Sequence, residues 1–283
     1  MRRYRARSKL IIGLPAKMKL AIDHTTSFEY EVAPSYGLLQ IRMVPHSNSS
    51  QRILEWDLTL EGARQQADFL DQHGNRVDLI EVLPAAGRVE LHVSGVVETL
   101  ADDGVLGRHF HAMPLWFYTR QTALTETDST VSAIAGRFPN AGAGTIADLH
   151  AISEEIRGRI AYIPGETSVT TTAADALERG KGVCQDHTHV FLSIVRSLGY
   201  PARYISGYLM MTDRTDQDAS HAWAEVHLDG IGWVGFDVSN GISPDQKYVR
   251  IAQGLDYADI PPTKGVTLGA QRENLFVSIQ VQQ

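Results

Sequence analysis

Three residues in one order could do chemistry here: Cys184, then His221, then Asp237. An ionised thiol is a strong nucleophile near neutrality. A histidine can take and return a proton in the same pH range. An aspartate accepting from the imidazole fixes its tautomer and stabilises the imidazolium. Together they make the nucleophile, base and orienter that acyl transfer through a thioester requires. Singly, each has a plainer reading. A lone cysteine is commonly an inert buried residue, a histidine a satisfied core residue, an aspartate a turn residue. The joint pattern and its local context argue for chemistry. His187 lies three residues after Cys184, and His189 follows. They could begin a metal site, but catalytic zinc needs three well-placed protein ligands, and no further ligand cluster accompanies them. The sequence therefore predicts no metal and no cofactor.

The elements that would position these residues can be read outward from them. Gly180-Lys181-Gly182-Val183 leads into Cys184, and Val190, Phe191, Ile194, Val195 and Leu198 recur at helical spacing until Gly199 and Pro201. This predicts a helix that opens at Cys184 and is buried on one side. Its free N–H groups and positive end would favour a thiolate, and the Cys184 N–H would face a developing oxyanion. The two glycines would permit a tight entry and leave room for a substrate backbone. Asp186 is placed to accept from first-turn N–H groups. His221 to Leu228 alternates as a strand, with His221, Trp223, Glu225 and His227 on one face and Ala222, Ala224, Val226 and Leu228 on a core face. Gly232 to Asp237 is the returning strand. For His221 to lie opposite Asp237, His227 must pair with Ile231 across a three-residue loop, Leu228-Asp229-Gly230. A two-residue Asp229-Gly230 turn would put Asp237 on the wrong face.

Farther out, residues 18 to about 110 read as strands. Phe28 to Val32, Leu38 to Val44, Ile53 to Leu60 and Arg88 to Thr99 alternate, separated by turn sequences that include Asp71-Gln72-His73-Gly74-Asn75. Short strands at this spacing predict an antiparallel sandwich. Residues 111–145 read as a connection with an aromatic trio, Trp116, Phe117 and Tyr118, suited to packing. Thr145 caps a predicted helix to Ile160, and a shorter helix spans Ala173 to Arg179. Helices followed by antiparallel strands give an α+β class. The division expected is a basic tail at 1–17, a β-rich domain at 18–125 and a catalytic domain at 126–283.

Composition narrows the field. The chain has 283 residues, enough for two domains, with 43% apolar and 21% charged residues. A net charge of −7 gives no electrostatic case for nucleic acid. No apolar run reaches membrane-spanning length. The single cysteine forbids an internal disulfide and is compatible with a cytoplasmic home. Residues 1–17 carry six basic side chains and no acid, and their short apolar piece ending at Pro15 is a poor secretory signal.

Gly180-Lys181-Gly182-Val183-Cys184-Gln185-Asp186-His187, Leu198 to Tyr208, His221-Ala222-Trp223 and Gly232 to Asp237 together resemble the bacterial transglutaminase-like proteins. Residues 18 to about 110, with Asp71 to Asn75, resemble the N-terminal domain often fused to them. The resemblance implies a papain-like core and mechanism: Cys184 attacks an amide carbonyl, His221 moves the proton and Asp237 holds the histidine. In one departure, Val238-Ser239-Asn240 stands where the family usually has Pro-Thr-Asn. The acyl group would pass to water, as in a protease or amidase, or to an amine, as in a transglutaminase. Hydrolysis is favoured, because cross-linking needs a site that excludes water. The partner expected is a peptide or protein substrate carrying an amide. A protein-binding module with an idle triad, peptide-linked glycan removal and a zinc hydrolase are the competing classes.

Overall fold

The computed structural model describes residues 16–108, 113–138 and 145–283. The basic run before Ala16 and the small-residue stretch at 139–144 lie outside these. Lys17, assigned to the tail from sequence, is already the first residue of a strand.

Strands β1 (Lys17–Val32), β2 (Tyr36–Ile41), β3 (Gln51–Glu61), β4 (Ala63–Leu70), β5 (Arg76–Val82) and β6 (Arg88–Leu100) come first. On β6, Val89, Leu91 and Val93 are buried while the residues between them are not. They meet Leu39 and Ile41 of β2 and Ile80 and Val82 of β5 in one apolar core. Each fully buried side chain of this kind contributes about 1.5–3 kcal/mol. This is the expected sandwich, one sheet built on β1, β6 and β3 and the other on β2, β5 and β4. The alternation named neither β4 nor β5. On β4 every residue after Ala63 is exposed or partly so, leaving no core face to read.

The chain then crosses to a second body through β7 (Val105–Gly107). Helix α1 (Ser129–Ala135), capped by the Asp128 carboxylate, lies inside the segment read as a connection. Helix α2 (Ile146–Arg159) starts at Thr145 with a reciprocal capping box to Asp148. Next come β8 (Ala161–Tyr162), α3 (Ala173–Arg179), β9 (Lys181–Gly182) and α4 (Cys184–Ser197). Strands β10 (Ala202–Leu209), β11 (Asp216–Gln217), β12 (His221–Leu228), β13 (Gly232–Phe236) and β14 (Tyr248–Gly254) follow. Four of them, with β7, form an antiparallel sheet in the order β14-β10-β12-β13-β7. Val190, Phe191, Ile194 and Val195 of α4 pack fully buried against Ala222, Ala224 and Val226 of β12. The α+β class holds.

The two bodies do not divide at one point in the chain. Strands β15 (Thr263–Leu268) and β16 (Gln271–Gln282), expected in the catalytic domain, return to the sandwich, β15 beside β2 and β16 beside β1. β7, expected in the N-terminal domain, belongs to the sheet of β14, β10, β12 and β13. One apolar core spans both bodies, joining Leu20, Ile22, Val97, Ile279 and Val281 to Val190 and Phe191. The 71–75 turn is a second tie. Asp71 accepts from the His73 and Asn75 N–H groups, and Asn75 exchanges hydrogen bonds with the Gln253 backbone at 2.8 Å each way.

Candidate active site

Cys184 is the first residue of α4, as its sequence context predicts. Gly180 ends α3 in the left-handed region at φ 62°. β9 pairs in parallel with β8, Lys181 beside Ala161 and Gly182 beside Tyr162, and the Ile163 N–H donates to the Gly182 carbonyl at 2.9 Å. Asp186 then closes the helix entry. Its carboxylate accepts from the Val183 N–H and from the Thr167 hydroxyl, each at 2.7 Å. A Cβ on Gly182 would stand 2.7 Å from the Asp186 Cβ. The room beside Gly182, expected for substrate, is thus filled by Asp186. His187 sets its ring nitrogens against the Val183 and Ile160 carbonyls, 2.9 and 3.1 Å away. It ties the helix start to the end of α2 and is spent on structure.

His221 opens β12 and is buried. Its Nε2 lies 2.6 Å from Asp237 Oδ2. The ring also hydrogen-bonds the Cys184 side chain. With Nε2 committed to Asp237, Nδ1 is the nitrogen that faces the thiol. The three predicted residues therefore come together.

The hairpin reaches this arrangement differently from the count made on sequence. Leu228 pairs with Gly232 and Ala224 with Phe236. The loop has three residues, but they are Asp229, Gly230 and Ile231, and the pairing of His227 with Ile231 is not observed. The register is displaced by two, which keeps the face and makes Asp237 a diagonal neighbour of His221. The cause is Gly232, at φ 97°, where a Cβ would lie 2.0 Å from the Gly107 carbonyl oxygen of the neighbouring strand. This left-handed glycine carries the turn one residue farther.

Asp237 leaves the ladder and turns. Besides His221, its carboxylate accepts from Tyr248 OH at 2.7 Å, Asn240 Nδ2 at 2.7 Å, Ser239 OH at 2.8 Å and the Asn240 N–H at 3.1 Å. Ser239, which stands where the family usually has threonine, and Asn240, which keeps the family's asparagine, thus supply donors to the same carboxylate. Burial opposes its charge, but His221 and these donors hold Asp237 well below the usual carboxylate range. Burial alone would lower the His221 pKa; the Cys184 and Asp237 charges outweigh it and push it up to about 10. The geometry suits a protonated imidazole beside the Cys184 sulfur.

Tyr162 is a neighbour that sequence reasoning missed. Its hydroxyl hydrogen-bonds both the Cys184 side chain and the Cys184 backbone N–H, and burial followed by the cysteine's charge pushes the phenol up to about 12. It stays a protonated donor near neutrality. No periodicity marks it, because β8 has two residues and both are exposed. Tyr248, on β14, was missed for a similar reason: only the fold brings it to Asp237. A cleft of about 370 Å³ runs past these groups, lined by Tyr162, Cys184 and His221 together with the 211–220 segment. That volume is in the range of small-ligand pockets. Among the described residues no cluster of His, Cys, Asp and Glu is arranged to hold a metal, and no helix is long and apolar enough to cross a membrane.

Comparison with known proteins agrees with this fold. An uncharacterized protein of Mycobacterium leprae is 27% identical over 282 residues, covering 93% of this chain and 98% of its own. An uncharacterized protein of Mycobacterium bovis is 26% identical over 305 residues, covering 98% and 96%. A crystal structure of a "putative cysteine protease" from Cytophaga hutchinsonii superposes with a TM-score of 0.70 at 19% identity, covering 94% of this chain and 98% of that one. That likeness establishes the fold. Family models match in two places, residues 20–98 and residues 132–238. Residues 132–238 match the transglutaminase-like superfamily, and residues 20–98 match the bacterial transglutaminase-like N-terminal region.

Proposed function

We propose that this protein is an enzyme of thiol-dependent acyl transfer on peptide or isopeptide amides, with hydrolysis as its outcome. The supporting observation is Cys184 at the start of α4, hydrogen-bonded to His221, whose Nε2 lies 2.6 Å from Asp237. The Cys184 thiolate attacks the amide carbon; a C–S bond forms and the carbonyl pair moves onto oxygen. The Tyr162 hydroxyl, and the Cys184 N–H that it releases as it turns to the substrate, are the donors proposed for that oxyanion. As it collapses, the C–N bond breaks and His221 Nδ1–H protonates the leaving amine. Water, deprotonated at Nδ1, then attacks the thioester, and the acid leaves as the thiolate is restored. The cleft wall at Tyr162 is half-exposed, so water reaches the thioester, which favours hydrolysis over transfer to an amine.

The test uses the fact that Cys184 is the only thiol in the chain. Iodoacetamide alkylation is followed from pH 4 to 10 in the wild type and in His221→Ala. A Cys–His pair gives fast alkylation well below the usual thiol range of about 8.5, slowed or moved upward in the variant. An ordinary thiol titration, the same in both proteins, sinks the enzyme reading and leaves a binding module with an idle triad.

A further inference from the structure

Between β10 and β12 the chain makes an excursion from Met210 to Ser220, and much of the cleft wall opposite Tyr162 comes from it: Met211, Arg214, Asp216, Gln217, Asp218 and Ser220. Such a segment would be expected to float, since most of its side chains are exposed. It is tied instead. Its root is held by the Met210 N–H on the Lys247 carbonyl at 2.9 Å and by Gln217 Nε2 on the Leu209 carbonyl at 2.9 Å. Its middle, β11, pairs with the last strand of the sandwich: Asp216 lies opposite Gln280 and Gln217 opposite Ile279. Gln280 Nε2 also donates to the Asp216 carboxylate at 2.8 Å. β16 is a firm anchor, because Ile279 and Val281 are buried in the core shared by both bodies. Asp216 is therefore both a lining residue of the cleft and the outermost strand residue of the sandwich's sheet.

We infer that the sandwich supplies the second wall of the substrate cleft, and that the Asp216–Gln280 pairing is a positioning device that sets which peptides reach Cys184. The inference rests on the acyl-transfer reading for its meaning, but its geometry does not involve the triad. It gives the N-terminal domain a task at the site: β1 and β16 act as a splint that fixes the 211–220 wall at a set distance from Tyr162 and Val183. The wall carries acidic and basic side chains on an otherwise mixed surface, so a fixed spacing lets it discriminate among flanking residues of an extended peptide. A wall free to swing would accept many peptides equally.

The test separates the cleft from the thiol. A mixture of tetrapeptides, each bearing an N-terminal chloroacetyl group, is offered to the protein, and the adducts on Cys184 are identified by mass. The thiolate displaces chloride to form the thioether, so each adduct reports how well that peptide is held. Iodoacetamide, which needs no wall, is run beside it. In the wild type a subset of peptides dominates. In Asp216→Ala, Gln280→Ala and the double variant, the preferred peptides lose roughly tenfold in rate while the iodoacetamide rate is unchanged. The double variant loses no more than the worse single one, since both remove one contact. Urea midpoints equal to wild type show that the fold is retained. Hydrogen exchange at Asp216 and Gln217 provides a second readout: slow in the wild type and faster in the variants. An unchanged adduct profile with faster exchange, or a wild type that selects no peptide, overturns the inference. An ordinary thiol titration with iodoacetamide counts against the acyl-transfer reading alone, and the adduct profile still reports on the wall.

Discussion

His221 gives Nε2 to Asp237 and keeps Nδ1 for the thiol, so two neighbours fix its ring orientation. Tyr162 completes this arrangement from the other side. Removing its hydroxyl leaves the Cys184 N–H as the only donor of this pair. Tyr162→Phe is expected to lower kcat on the order of 10²-fold with iodoacetamide alkylation largely retained, measured once a peptide substrate is in hand. An equal loss in alkylation would mean that the hydroxyl serves the thiolate and not the oxyanion. The triad was legible in the sequence because its members sit at the ends of regular elements: Cys184 at a helix start, His221 at a strand start and Asp237 just past a strand end. Tyr162 and Tyr248 were not legible. Neither pattern nor spacing connects a tyrosine on a two-residue strand, or one on a strand across the sheet, to a cysteine elsewhere in the chain.

The entry into α4 is the most demanding element. Asp186 caps it, Gly182 makes room for Asp186, and His187 clips it to α2. Gly182→Ala pushes a methyl group into the Asp186 side chain. It is expected to cost about 2 kcal/mol, read from the urea midpoint, and to slow Cys184 alkylation as the helix start shifts. Wild-type values for both would refute the packing argument. Strand β12 shows a limit of alternation. Its second face, His221, Trp223 and Glu225, reads as polar, yet all three are buried. Glu225 lies directly opposite Arg203 on β10 and makes a 2.6 Å ion pair with it, and Arg250 of β14 adds a second at 3.1 Å. Arg203 also lies 3.9 Å over the Trp233 ring. The charges match across strands, which a single strand's pattern cannot display. The hairpin carries the same lesson: counting fixed the face, but Gly107 on a neighbouring strand decided the register.

At the scale of the molecule, the two bodies are joined by polar contacts as well as by the shared core. Asn75→Ala removes both hydrogen bonds between its side chain and the buried Gln253 backbone. The expected cost is about 3 kcal/mol, and a urea midpoint within error of wild type would show the turn to be a passive contact. His24 is a second tie, its Nδ1 2.7 Å from the Tyr208 hydroxyl and its Nε2 3.0 Å from Thr26 Oγ1. Burial lowers its pKa to about 4; Asp23 opposes this and His92 adds to it. Below the usual histidine value of 6.5, the unfolded chain binds a proton that the folded chain refuses. Stability is therefore held above pH 6.5 and lost as pH falls toward about 4. The loss is on the order of 3 kcal/mol from this group. Buried His189, lowered by burial and Arg196 to about 3, acts in the same direction. His24→Gln removes part of the slope, and urea midpoints between pH 7.5 and 4.5 measure it. A slope unchanged by the substitution would assign the acid loss to other groups.

The sequence by itself determined the sandwich, the helix that presents Cys184 and the order of Cys184, His221 and Asp237. Each follows from local causes: apolar period, capping residues and turn chemistry. The tertiary structure decided what depends on strands distant in the chain. It sent β15 and β16 back to the sandwich, moved β7 into the sheet beside β13, set the β12–β13 register and brought Tyr162 and Tyr248 to the site. Hydrogen-bond ladders and buried charge pairs are satisfied between segments, and only a folded chain brings those segments into contact.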